Sequence, residues 1–104
     1  GKYLDVPLPE DDAFVFTCQG RPVGPSARTL NEFVRLQARL PLSSVQGHAE
    51  RSDFSRWIAK VFSDQPLADE VAAIENQYRD GRLDNLPLAL AASIRQRYAP
   101  EPGL

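Results

Sequence analysis

The sequence predicts a small α+β domain that is mostly α, with about four helices and one or two short strands near the N-terminal half. Apolar residues recur at helical spacing through most of the second half of the chain, and one run near the N-terminus is rich in β-branched and aromatic residues. The length of 104 residues is that of one domain. We therefore expect a single domain over 1–104, with an extended arm over 1–11, a globular core over 12–98 and a tail over 99–104.

Composition narrows the class of protein. The chain is 42% hydrophobic and 25% charged, with a mean hydropathy of −0.37, which is typical of a soluble globular protein. A net charge of −2 gives no general attraction to nucleic acid, and no apolar run predicts a membrane span. The N-terminus lacks a signal-peptide pattern, and Cys18, the one cysteine, has no partner for an internal disulfide. We expect a cytoplasmic protein with no membrane association.

The first regular element is a predicted strand over Ala13–Cys18, ended by the turn residues Gln19 and Gly20. Apolar residues fall on both of its faces, so we expect the strand to be covered on both sides. A loop over 21–26, which contains two prolines and a glycine, follows.

The first helix begins at a capping box formed by Thr29 and Glu32, and Pro41 stops it. Residues 42–50 show no clear period, and Val45–Glu50 is predicted as a second short strand.

Three more helices are expected. Ser52 or Asp53 caps the next one, which has the clearest apolar face of the chain. That face comprises Phe54, Trp57, Ile58, Val61 and Phe62. Another helix starts at Asp64 and stops at Gly81, and the last runs over Asn85–Tyr98.

Few residues suggest catalysis. His48, Glu50 and Asp53 lie close in sequence, but a zinc site usually needs more than one histidine, so we expect no metal and no cofactor. Cys18 and His48 are the only candidates for a nucleophile and its base. Because a lone thiol more often packs as a small hydrophobe, we assign no catalytic residue.

Two surfaces are candidates for binding. Arg28, Arg35 and Arg39 can form one basic stripe on the first helix, which is either a solvated face or a phosphate-binding one; interleaved acids argue against a nucleic-acid partner. The last helix is apolar around most of its circumference, so it is either buried in its own core or shared with a partner. Its candidate interface residues are Leu86, Leu90, Ile94 and Tyr98. If they form a dimer interface, Leu90→Glu should dissociate the dimer without unfolding the protomer.

Several segments together resemble a known family. They are Phe14-Val15-Phe16, Leu30-x-x-Phe33, Leu40-Pro41 with the nearby His48, and Asp53-Phe54-x-x-Trp57-Ile58-x-x-Val61-Phe62. The pattern, which covers residues 13–70, resembles a small prokaryotic domain family of unknown function that occurs alone or appended to larger proteins. The resemblance implies no activity and no catalytic residues. It implies that His48, Asp53 and Trp57 belong to one constellation in a bacterial protein.

That constellation has a structural and a functional interpretation. In the first, Asp53 caps its helix, His48 donates to the Asp53 carboxylate, and Phe54 and Trp57 close over the pair. In the second, His48, Glu50, Asp53 and Trp57 line a pocket for a ligand or partner. The preferred function is a non-enzymatic protein-interaction or regulatory module, able to self-associate or to bind another protein. The alternative is a small ligand-binding protein or enzyme with a pocket around His48 and Asp53.

Overall fold

A computed structural model of the chain describes residues 6–98. These residues contain five α-helices and one two-stranded antiparallel sheet, which confirms the mostly α, α+β class with one helix more than expected. The elements are β1 (Thr17–Cys18), β2 (Arg21–Pro22), α1 (Leu30–Gln37), α2 (Leu42–Glu50), α3 (Asp53–Phe62), α4 (Gln65–Arg79) and α5 (Leu86–Tyr98). None of the described helices is long and apolar enough to cross a membrane.

The ends of the chain lie partly outside this description. The predicted tail over 99–104 and residues 1–5 of the predicted arm are not among the described residues. In the rest of the arm, Glu10–Asp12 forms one turn of 3-10 helix. The arm is therefore not extended throughout.

The N-terminal strand is shorter than predicted. Only Thr17–Cys18 pairs regularly, with β2, through a turn whose two central residues, Gln19 and Gly20, both have positive φ, as tight hairpins require. An isolated bridge extends the pairing, in which Phe14 and Ala27 exchange both backbone hydrogen bonds at 2.9 Å. Val15 remains 49% exposed, so the prediction that the run is covered on both faces was wrong.

Helix α1 begins where the sequence predicted. Thr29 Oγ1 accepts the Glu32 amide at 2.9 Å, but the Glu32 carboxylate accepts the amide of Arg28, one residue earlier than in a capping box. The helix ends at Gln37, a turn before Pro41.

Helix α2 corrects the second predicted strand over Val45–Glu50. Its buried residues are Ser44, Val45, His48 and Ala49, which is helical spacing. Two of these four are polar, so a search for apolar residues does not find the period.

The last three helices confirm the predicted starts. Asp64 Oδ1 accepts the Leu67 amide at 3.1 Å and caps α4, and Asn85 Oδ1 accepts the Leu88 amide at 3.1 Å before α5. Gly81, with positive φ, follows the end of α4.

Aromatic rings form the centre of the core. The Phe14 ring lies 4.9 to 5.4 Å, between ring centroids, from Phe16, Phe33, Phe54 and Trp57. Burying each such side chain contributes about 1.5–3 kcal/mol. The hairpin segment is thereby fixed against α1 and α3, and α2 lies beside it.

Candidate functional site

His48 is the centre of a buried hydrogen-bond network and is only 2% exposed. Its Nε2 accepts the backbone N–H of Thr17 at 3.0 Å, which requires that this nitrogen carry no proton. The neutral ring therefore carries its proton on Nδ1 and donates it to Asp53 Oδ2 at 2.8 Å. Ser44 Oγ, one turn earlier on α2, donates to the carbonyl of Thr17 at 2.5 Å. Helix α2 thus holds β1 by both of the Thr17 backbone groups.

Asp53 connects this imidazole to two arginines. Its Oδ2 accepts from Arg51 Nε at 3.0 Å, and its Oδ1 accepts from Arg56 Nη2 at 2.7 Å. We call Thr17, His48, Arg51, Asp53 and Arg56 the His48 cluster. The predicted contact between His48 and Asp53 is present.

The environment shifts the pKa values of both partners. Burial is the main cause that lowers the pKa of His48 below 6.5, and it outweighs the opposing effect of the Asp53 carboxylate. Burial would raise the pKa of Asp53, but hydrogen bonds from His48, Arg56 and Arg51 hold it below its usual value. A neutral imidazole beside an ionised carboxylate is therefore the stable state near pH 7.

A different carboxylate satisfies the start of α3. Ser52, which has positive φ, forms no side-chain cap there, and the Asp53 carboxylate faces His48 and the arginines instead. Glu75 of α4 is buried, and its Oε2 accepts the Phe54 amide at 3.1 Å. Burial raises the pKa of Glu75. The prediction that Asp53 caps the helix was wrong, because the long-range partner Glu75 takes that position.

An open groove of about 600 Å³ lies over the His48 cluster, and Phe14, Val15 and Trp57 supply much of its apolar lining. The predicted closure by aromatic rings is seen in part, since the Phe54 ring lies 5.3 Å from the imidazole, between centroids. The indole N–H of Trp57 is engaged elsewhere and donates to the carbonyl of Asp12 at 2.8 Å. Both imidazole nitrogens are likewise occupied, so the groove presents no free imidazole to a ligand.

Glu50 and Cys18 do not join this groove. Glu50 lines a separate depression beside α4, together with Arg79. His48 and Glu50 are two positions apart, and such residues point in different directions on a helix, whereas on a strand they would lie on the same face. Cys18 Sγ lies 3.3 Å from Ser43 Oγ. Among residues 6–98, no group of three or more His, Cys, Asp or Glu side chains could hold a metal ion.

The predicted interface on α5 is inside the protomer. Leu86, Leu90 and Ile94 have no exposed surface and belong to the core of the same chain. The Tyr98 hydroxyl and Arg97 Nε both bind the carboxylate of Asp64, which fixes the end of α5 to the start of α4. Of the two alternatives for α5, the structure shows the first, in which the apolar face is buried in the core of its own chain.

The predicted basic stripe is divided. Arg28 donates to the carbonyl of Leu8 through Nε and Nη2, at 3.0 and 2.8 Å. Its side chain is thus bound to the segment that precedes β1 and does not join the other two arginines. Arg35 and Arg39 instead share an open groove of about 480 Å³ with Arg95 of α5. We call it the α1–α5 groove. Sequence reasoning missed Arg95 here, because only the packing of α5 on α1 brings it to that surface.

Sequence reasoning also missed Thr17, Ser44 and Glu75. No local pattern marks them, since each acts on a partner that is distant in sequence.

No family model, curated protein or solved structure matches this chain. The resemblance to a prokaryotic domain family accordingly stays a prediction based on the residues alone.

Proposed function

We propose that the protein is a non-enzymatic protein-interaction module. One observation carries the proposal: the two ring nitrogens of His48, the only imidazole of the chain, are both engaged in hydrogen bonds within a buried cluster. An imidazole acts as a general base or a nucleophile only through a ring nitrogen that can reach a substrate. In this arrangement the ring connects the hairpin to α3 and has a structural role.

The partner that we propose is a different protein. A symmetric dimer through the inner face of α5 would first require Leu86, Leu90 and Ile94 to leave the core of the protomer, where they are fully buried. A symmetric dimer through the α1–α5 groove would place the arginines of one copy against those of the other, which is unfavourable. As part of the proposal, we place the module in the cytoplasm, where the single thiol stays reduced.

Site-specific photocrosslinking in the native cells tests this function. A photoreactive amino acid is placed at Leu88 in the α1–α5 groove, at Val15 over the His48 cluster, or at Gln77 on the outer face of α4, all of which are exposed. We expect a discrete adduct with another protein from one surface and none from the others. Adducts from no surface, or from all three equally, would overturn the proposal.

A second candidate is a ligand-binding protein, and the groove over the His48 cluster favours it. The Arg51 side chain is 53% exposed there, beside an apolar lining, which suits a small organic anion. The imidazole NMR signals of His48 discriminate the two. A carboxylate or phosphate compound that shifts them specifically at low concentration supports the ligand-binding candidate, and unchanged signals across a fragment library refute it.

A further inference from the structure

We infer that the α1–α5 groove is the docking site for an acidic, amphipathic segment of the partner protein. This inference rests on the proposed function and names the chemistry of the partner. The groove combines three arginines that have no partner in the described part of the chain with an exposed apolar side chain.

The arginines of this groove differ from most others in the structure. Elsewhere, Arg51 and Arg56 bind Asp53, and Arg97 binds Asp64. Other arginine side chains, those of Arg28 and Arg79, donate to backbone carbonyls.

Arg35, Arg39 and Arg95, by contrast, form no ion pair or hydrogen bond through their side chains with any residue among 6–98. No carboxylate from the described residues lines the groove. In a chain whose net charge is −2, this is a local concentration of positive charge. A partner with carboxylates is electrostatically complementary to it.

The apolar part of the groove favours a peptide over nucleic acid. Leu88, near the start of α5, is 66% exposed, and it lies in the same groove as Ala38 and Pro87. Phosphate recognition needs cations and hydrogen-bond donors but gains little from an aliphatic side chain. A leucine or similar side chain of a peptide would bury that surface, and burial contributes about 25 cal/mol per Å².

The arrangement of the charges suggests the form of the segment. Arg35 lies in the last turn of α1, Arg39 lies two residues beyond the end of that helix at Gln37, and Arg95 lies on α5. The positive charges therefore come from both elements that form the groove, with the exposed Leu88 in the same groove. An amphipathic helix laid along the groove would present its acids to these arginines and its apolar face to Leu88.

Titration calorimetry with a panel of synthetic helical peptides tests the inference. Every member carries the same number of glutamates at i, i+4 spacing, and the members differ in the number and position of their leucines. We expect leucine-containing members to bind, with about a tenfold or greater loss of affinity in the double variant Arg35→Glu/Arg39→Glu.

The matched control is Lys60→Glu/Arg82→Glu, which changes the net charge equally at exposed residues that do not line the groove. Equal losses in both double variants would overturn the inference, because they would show a nonspecific effect of net charge. Binding that does not depend on leucine would also overturn it, as would absence of binding by every peptide.

A single-stranded oligonucleotide of the same charge is the competing ligand. If it binds the groove as tightly as the best peptide, the site is a phosphate site and the inference is wrong. A second pair of variants tests the apolar contact: Leu88→Ser should weaken peptide binding, and Leu42→Ser, at the comparably exposed start of α2, should not. If this groove fails while photocrosslinks appear at another surface, the interaction module survives and only this docking site is wrong.

Discussion

The arginines of the His48 cluster and those of the α1–α5 groove differ in what they contact. In the His48 cluster, Arg51 and Arg56 converge on one carboxylate, and that carboxylate holds the buried imidazole. In the α1–α5 groove, the arginines have no partner among the described residues. Unpaired surface charges contribute little to folding. The difference indicates that the first set stabilises the fold and that the second is available for binding.

The largest expected effect comes from comparing a charged substitution on the buried inner face of α5 with the same substitution on its exposed outer face. Leu90 is 0% exposed, so Leu90→Glu would bury a carboxylate in the core and should cost at least about 4 kcal/mol, enough to unfold the chain. Circular dichroism and size-exclusion chromatography check this. Leu88→Glu, on the outer face, should stay folded. A folded Leu90→Glu protein would contradict the burial of this face and favour the alternative that the face is an interface.

The next effect tests the structural role of the His48 cluster. His48→Ala leaves the Thr17 amide without its acceptor and removes the imidazole from the aromatic core, so it should lower the free energy of unfolding by about 2–4 kcal/mol. Urea denaturation measures the change. Gln46→Ala, at an exposed position on the same helix, is the control and should change it by less than about 0.5 kcal/mol. Similar values for the two variants would contradict the role of the cluster.

A pH effect follows from the neutral imidazole. Because burial lowers the pKa of His48 in the folded state, the unfolded chain binds a proton below about pH 6.5 that the folded chain does not. The neutral His48 imidazole therefore contributes fully to the free energy of unfolding above about pH 6.5. This contribution is lost as the pH falls toward the pKa of the folded state. The total loss is about 1.4 kcal/mol for each pH unit by which the folded-state pKa lies below that of the unfolded chain.

Urea midpoints of the native protein and of His48→Gln, compared between about pH 7.5 and about pH 5.5, isolate this contribution. Glu75 affects the pH dependence of stability in the opposite direction, since its raised pKa favours the folded state at low pH. Because Glu75 is present in both proteins, its effect cancels in the comparison. Identical pH profiles would refute the buried neutral imidazole. NMR of the single imidazole should also show its proton on Nδ1.

The smallest expected effect on stability comes from removing two arginines of the α1–α5 groove. Arg35→Ala/Arg39→Ala should change the free energy of unfolding by less than about 0.5 kcal/mol, because neither side chain has a partner in the described structure. Asp53→Ala, which removes the carboxylate shared by His48, Arg51 and Arg56, should cost more. Thermal denaturation of both variants checks the order. A larger loss from the double arginine variant would mean that these arginines support the fold.

The sequence predicted what depends on near neighbours. The apolar face of α3, the starts of α4 and α5 near Asp64 and Asn85, and the contact between His48 and Asp53 all involve residues close together in the chain. Helix propensity, capping and short-range spacing act at that scale.

The rest depends on contacts between distant residues. Glu75 reaches Phe54 across 21 positions, and the Thr17 backbone amide reaches His48 across 31. Helix α2 was predicted in part as a strand because its buried face is half polar, and those polar groups are satisfied by the hairpin. The sequence left two alternatives for α5 open for a related reason, since only the packing of the other helices shows what covers its apolar face.

The indole of Trp57 gives the molecule an optical reporter of its N-terminal segment. It is the only tryptophan, its ring packs against Phe14, Phe33 and Phe62, and its N–H is bound by the carbonyl of Asp12. Separation of that segment from α3 would hydrate the indole and shift its emission to longer wavelength. Stopped-flow fluorescence would therefore time the docking of the segment, and far-UV circular dichroism would time the formation of the helices.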